Sequence, residues 1–108
     1  GPMLGQVHHF THYNPDASEY ARQRYEDEAR RLYGVLERRL TNHQFLAGEY
    51  SIADMAAWPW ISRFEWQKMD LNLFPAVKRW YLEIAGRGAV QRGYDVPVKV
   101  NDIPRPKP

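Results

Sequence analysis

Apolar positions fall into three helical patterns separated by polar, Gly- or Pro-containing segments. Ala21, Tyr25, Ala29, Leu32, Val35, Leu36 and Leu40 recur at spacings of three and four, while Arg22, Glu26, Arg30, Glu37 and Arg38 fall mainly off that stripe. This spacing predicts one long amphipathic helix over 15–40. Asn14-Pro15 is its expected start, because Asn caps and Pro is tolerated in the first turn, with Asp16 and Glu19 near the positive end of the dipole. The second pattern, Tyr50 to Trp60, opens with Ser51 and Asp54 in the S-x-x-D spacing of a capping box, and Tyr50 and Met55 stand at hydrophobic-staple spacing. Ile52, Ala53, Met55, Ala56, Ala57, Trp58, Trp60 and Ile61 leave almost no polar face, so this helix is expected to be covered on most sides. Pro59 predicts a kink rather than a stop, since the apolar pattern continues through Ile61, Phe64 and Trp66. A third helix starts at Pro75, presents Val77, Trp80, Tyr81 and Ile84, and is closed by Gly86 and Gly88; Ala89, Val90 and Tyr94 allow one further turn.

The remaining segments read as connections. Residues 1–14, with two glycines, a proline and three histidines, form a loop or the end of a truncated helix, and Gly1-Pro2 reads as a cloning scar on composition alone. Phe45 and Leu46 anchor the loop before the Gly48 turn, and Asp70 to Phe74 is a connector. Residues 96–108, with Pro97, Pro104, Pro106 and Pro108, form an extended tail. The VPVKV stretch alternates, but Pro97 argues against a central strand. The fold class is therefore all-α, with the helical domain at 15–95.

Composition narrows the function classes. At 108 residues the chain supports one domain, and 44% hydrophobic with 14% aromatic residues supplies a core. The net charge of +2 comes from 15 basic and 13 acidic residues mixed along the chain, which gives no field for nucleic acid or an anionic membrane. The absence of cysteine removes disulfides, a thiolate nucleophile and thiolate metal ligation. No apolar run approaches a membrane span, and the expected location is cytoplasmic. His8 and His12 would stand one turn apart on a helix, yet no third ligand is evident, so they read as surface or packing histidines and no metal is expected. Ser51 and Asp54 read as a structural cap rather than a nucleophile and its acid, and no catalytic residue is assigned. Trp58, Trp60 and Trp66 have no basic stripe around them and read as core rather than base-stacking residues.

The segments GPMLGQVHHF, YARQRY, LYGVLERRL, SIADMAAWPW and FPAVKRW, in this order, resemble the C-terminal helical domain of a cytosolic glutathione S-transferase. The branch they are most similar to is the bacterial disulfide-bond oxidoreductase or Nu-class type, with its fungal prion-like relatives. Gly88 departs from the proline that the family usually carries after this arginine. The resemblance covers nearly the whole chain and makes Gly1-Pro2 native sequence from a longer protein. It implies a glutathione S-transferase C-terminal-like bundle without its thioredoxin-like domain, which in the family holds most of the glutathione. It also implies that Arg24 of YARQRY reaches the glutathione of a neighbouring subunit, where the residues alone read as a solvated helix arginine. Phe10, His12 and Tyr13 fall where family members line the electrophile pocket; on their own they also read as loop packing. Glutathione would be co-substrate only with an N-terminal domain present, and the implied partner is that domain or a second copy in a homodimer. As a fragment, the chain is expected to lack part of the cover over Tyr25 to Leu36 and to expose an apolar patch there. The alternative is a non-catalytic, transferase-like interaction module.

Overall fold

The computed structural model describes residues 1–108 and contains helices without a strand. Helix α1, Pro2–Val7, runs directly into a π-helical stretch, His8–Tyr13. Helices α2, Glu19–Thr41, and α3, Ile52–Ile61, follow. A short 3-10 turn, Leu71–Leu73, leads to α4, Pro75–Ala85, and α5, Gly88–Tyr94. No helix is long and apolar enough to cross a membrane. The core lies among α1, α2, α3 and α4, where Val7, Tyr33, Leu40, Ile61, Leu71, Val77, Trp80, Tyr81 and Ile84 are essentially removed from solvent.

Several boundaries differ from those the sequence predicts. Residues 1–14, expected as a loop or helix end, are helical from Pro2 to Tyr13 and lie against α2, burying Leu4 and Val7. Tyr25, Leu32 and Leu36 are half-buried, while Val35 in the same stretch is exposed, so the cover over this stripe is partial. Helix α2 starts later than Pro15: the Ala17 amide donates to the Asn14 carbonyl in a Pro-containing turn, and the Ser18 hydroxyl then caps the helix by accepting from the Ala21 amide at 3.1 Å. The Pro59 helix stops at Ile61 instead of kinking and continuing. Its bonds switch to shorter turns, Arg63 N to Trp60 O at 3.2 Å and Phe64 N to Ile61 O at 3.0 Å, and these irregular turns carry Phe64, Gln67 and Met69 into the core. Nor is α3 covered on most sides. Trp58 and Ile61 face the core, but Ile52 is 81% and Met55 52% exposed, and Ala56 and Pro59 complete an outward apolar stripe.

The capping box at the start of α3 forms, and its carboxylate also reaches beyond the box. Asp54 is fully buried; Oδ2 accepts from the Ser51 amide at 3.0 Å, while Oδ1 accepts from the Leu46 amide at 3.0 Å and the Trp80 indole at 2.8 Å. Gly48, at φ 99°, makes the turn that folds the Leu46 loop toward this carboxylate, a backbone angle that side chains resist.

Helices α2 and α4 hold each other's ends. The Phe74 cap position supplies no side-chain bond and Pro75 has no amide proton, so Glu37 of α2 accepts from the Ala76 and Val77 amides at 2.9 Å each. In return Arg79 donates to the carbonyl of Leu40, in the last turn of α2, at 3.0 Å, and to those of His43 at 3.0 Å and Gln44 at 3.2 Å just beyond it. The Pro-rich tail turns back over the bundle, since the Tyr81 hydroxyl donates to Pro104 O at 2.6 Å and the Asn72 amide to Lys107 O at 2.9 Å.

A cap alone is worth about 1 kcal/mol. Because Asp54→Ala strands buried donors from three segments, its expected cost in urea unfolding is about 3 kcal/mol, clearly above that of Ser51→Ala. Equal losses in the two variants would mean that the bonds to Leu46 and Trp80 contribute nothing.

Candidate functional site

Six arginines lie along α2, and most are committed. Arg22 pairs with Glu19 at 2.6 Å, Arg30 with Asp27 at 3.3 Å and Arg31 with Glu28 at 2.6 Å. These are one-turn neighbours on a helix surface, where such pairs form readily. The Arg31 guanidinium bonds both Glu28 oxygens and holds that carboxylate below its usual range. Asp27, the other acid within a turn of Arg24, accepts from Gln23 and Arg30. Arg24 is thereby left exposed, with no side-chain hydrogen bond and no ion pair. It borders a groove of about 670 Å³ between α1 and α2, with Met3 on one side and Tyr20, Tyr25, Glu28 and Arg31 on the other. A free planar guanidinium in such a groove can take a carboxylate through two charge-assisted bonds.

The π-helical stretch separates the residues expected at the electrophile pocket. Phe10 is half-buried and stacks on Tyr25, with ring centroids 5.8 Å apart and planes 11° from parallel. His12 and Tyr13 point to Trp66 instead. The His12 ring lies parallel to the indole at 4.1 Å, and Tyr13 meets it edge-on at 5.6 Å. Arg63 lies 4.8 Å from the same indole centroid, a cation–π contact. His12 and Tyr13 thus form one aromatic group and Phe10 belongs to the α2 contact.

His8 has a role that the sequence reading missed. It is buried, stacked near Trp60 at 5.7 Å, and its Nε2 lies 2.9 Å from the side-chain nitrogen of Gln67. Gln67 is itself fully buried, donates to Trp60 O at 2.8 Å and accepts from the Tyr33 hydroxyl. A carbonyl can only accept, so Trp60 O fixes which end of the Gln67 amide is nitrogen. His8 Nε2 must then accept, and the proton sits on Nδ1. The ring is neutral by construction. Burial lowers its pKa first, with the charges of His12 and Arg63 adding to the shift. Nothing local in the sequence marks Gln67, which stands between Glu65 and Lys68, as part of this buried network. Burial likewise pushes the Tyr33 hydroxyl up, so it remains a donor.

This all-helical bundle is of the kind found as the C-terminal domain of glutathione transferases. The chain belongs to the glutathione S-transferase C-terminal domain family, whose model matches residues 2–87. It is 52% identical over 90 residues to the disulfide-bond oxidoreductase YfcG of Escherichia coli, covering 82% of this chain and 42% of YfcG. It is 43% identical over 101 residues to YghU of the same organism, covering 85% and 35% respectively. The chain thus spans less than half the length of these relatives. Among solved structures, a glutathione transferase from Pseudomonas putida with one glutathione disulfide bound per subunit superposes with a TM-score of 0.82 at 39% identity, over 90% of this chain and 45% of that one. A Burkholderia graminis glutathione transferase with two glutathione molecules bound per subunit gives 0.80 at 36% identity, over 90% and 44%.

The His8 shift gives a pH dependence of defined sign. A histidine whose folded pKa lies below 6.5 takes up its proton more readily when unfolded. Its contribution to stability is therefore complete above pH 6.5 and is lost as the pH falls through and below that value. Urea unfolding between pH 7.5 and 5 should show a shallower fall for His8→Gln than for the parent. Parallel pH profiles would remove the neutral-His8 assignment.

Proposed function

We propose that the chain is the helical half of a glutathione-dependent transferase or disulfide oxidoreductase, and that Arg24 binds a carboxylate of glutathione. The observation that carries this reading is the unpaired guanidinium of Arg24 beside the groove between α1 and α2, on a helix whose neighbouring arginines are tied to carboxylates. Relatives with bound glutathione support the choice of ligand. In this reading a thioredoxin-like half holds the peptide and the sulfur of glutathione, and a second copy of the protein brings Arg24 to the first copy's co-substrate.

The chain has no cysteine, so all sulfur chemistry belongs to the co-substrate, the substrate or another domain. For disulfide reduction, a glutathione thiolate attacks one sulfur of the substrate disulfide, forming a mixed disulfide and expelling the other sulfur as thiolate, which takes a proton. A second glutathione thiolate releases the remaining thiolate and leaves as glutathione disulfide. For conjugation, the same thiolate adds to an electrophilic carbon. The contribution of Arg24 is orientation and charge: it fixes one end of the tripeptide without touching the reacting sulfur. His12 and Tyr13 would flank the electrophile on the Trp66 side, where their rings pack against the indole, and Phe10, stacked on Tyr25, would line the α2 side.

The test is to combine the chain with the thioredoxin-like half of a relative such as YfcG and to assay thiol conjugation and disulfide reduction. Activity is expected in the mixture and not in the chain alone. Arg24→Ala should raise KM for glutathione about tenfold, roughly 1.4 kcal/mol of binding, with kcat changed much less. An unchanged KM removes Arg24 from the site, and inactivity of every mixture counts against the enzymatic reading.

A further inference from the structure

We infer that His8 is an acid-released latch: a proton taken up by its buried ring frees residues 2–13 from the bundle while the helices joined by Asp54 stay folded. The latch acts on how this segment is held and does not depend on which ligand the Arg24 groove takes. Two hydrogen bonds tie the segment to the rest of the fold, Thr11 Oγ1 to Glu26 Oε1 at 3.1 Å and the Gln67 side-chain nitrogen to His8 Nε2 at 2.9 Å. None of its residues takes part in an ion pair. Its apolar hold is small as well: Leu4 and Val7 are buried, and Phe10 is half-buried against Tyr25. The bonds of Asp54, Glu37 and Arg79 run among residues 37–80 and include nothing before α2. The segment can therefore leave without breaking them.

The His8 bond exists in one protonation state. Gln67 directs one amide proton to Trp60 O, at 2.8 Å, and the other to His8 Nε2, while its oxygen accepts from the Tyr33 hydroxyl. A proton added to Nε2 sets donor against donor. Turning the amide over gives no relief, because it brings the Gln67 oxygen against the Trp60 carbonyl oxygen. Nor do the surroundings offer the imidazolium a counter-charge. His12 on the same stretch and Arg63 on the turns after α3 both oppose it. Helix α2 faces it with Tyr33 and carries one acid near the segment, Glu26, which is engaged by Thr11 and by Arg22 at 3.7 Å. Trp60 and Trp66 present only rings, and Glu65 and Lys68 are exposed. A buried cation without an acceptor is costly, and separation of the segment removes both the clash and the desolvation. Release draws His12 and Tyr13 away from Trp66, Phe10 from Tyr25, and Met3 from the edge of the Arg24 groove, so acid disassembles that groove.

Because the chain has no cysteine, a single introduced thiol reports local opening. Val7→Cys lies at a buried site in the segment and Ala85→Cys at a buried site in α4. Each is labelled with 4,4′-dithiodipyridine, which reacts with thiols at acid pH, and its rate is compared with that of the urea-unfolded chain at the same pH. At pH 7.5 both thiols should be protected. As the pH falls from 6.5 to 5, the Val7→Cys rate should rise toward that of the unfolded chain, by up to about tenfold per pH unit for one proton, while Ala85→Cys stays protected. His8→Gln offers Gln67 a carbonyl that accepts at any pH, and in that background the Val7→Cys rate should stay flat. Leu4→Cys gives the same reading if Val7→Cys does not fold, and the comparison with Ala85→Cys needs no change at His8. A segment thiol still protected at pH 5 would overturn the latch. So would parallel exposure of both thiols, which means that the fold opens only as a whole, or an acid step that persists with His8→Gln.

Discussion

A single buried carboxylate holds the bundle in register. Asp54 joins the loop before α3, through Leu46, to the first turn of α3, through Ser51, and to the middle of α4, through the Trp80 indole. Removing a charge from water is costly, and that cost is met here by three donors that have no other partner nearby. The geometry also determines where Trp58 goes. With Trp80 bonded to Asp54, Trp58 stacks on Tyr81 at 5.2 Å and donates its indole proton to the Tyr81 carbonyl at 3.1 Å. Two tryptophans on neighbouring helices are thereby satisfied crosswise, each bonded to the other's helix.

A second pair of long-range bonds fixes the ends of the helices that frame this junction. Glu37 completes α4 where Pro75 cannot, and Arg79 completes α2 after Leu40. Each helix therefore ends properly only when the other is in place. That mutual dependence sets α2 at a fixed position, and with α2 it sets the groove that Arg24 borders.

The amphipathic stripe of α2, the capping box and the proline start of α4 were legible in the sequence because each depends on residues within a turn or two. What escaped the reading was bonded at a distance. Glu37 was placed only as a charge off the α2 stripe and Arg79 was given no role, since their partners stand 35 to 40 residues away. Gln67 and His8, 59 residues apart, gave no local sign of meeting. The half-open state of α3 was hidden too, because an apolar helix shows how much surface it would bury but not how much cover the rest of the chain supplies. At the candidate site, Arg24 was marked by the resemblance of YARQRY alone. Its lack of a partner could have been inferred from the one-turn spacing of Glu28 with Arg31 and of Asp27 with Arg30.

Asp54 also joins two length scales of the chain. Its bond to Ser51 closes three residues, a step that costs little entropy and can form whenever α3 begins to wind. Its bond to Trp80 closes 26, and the Glu37 bonds to α4 close 39 and 40. The local box leaves Oδ1 already aimed outward while α4 is still searching, so the longer loop closes onto a prepared acceptor rather than onto a flexible one. The smallest motif in the chain in this way sets the target for a contact 26 residues further along it.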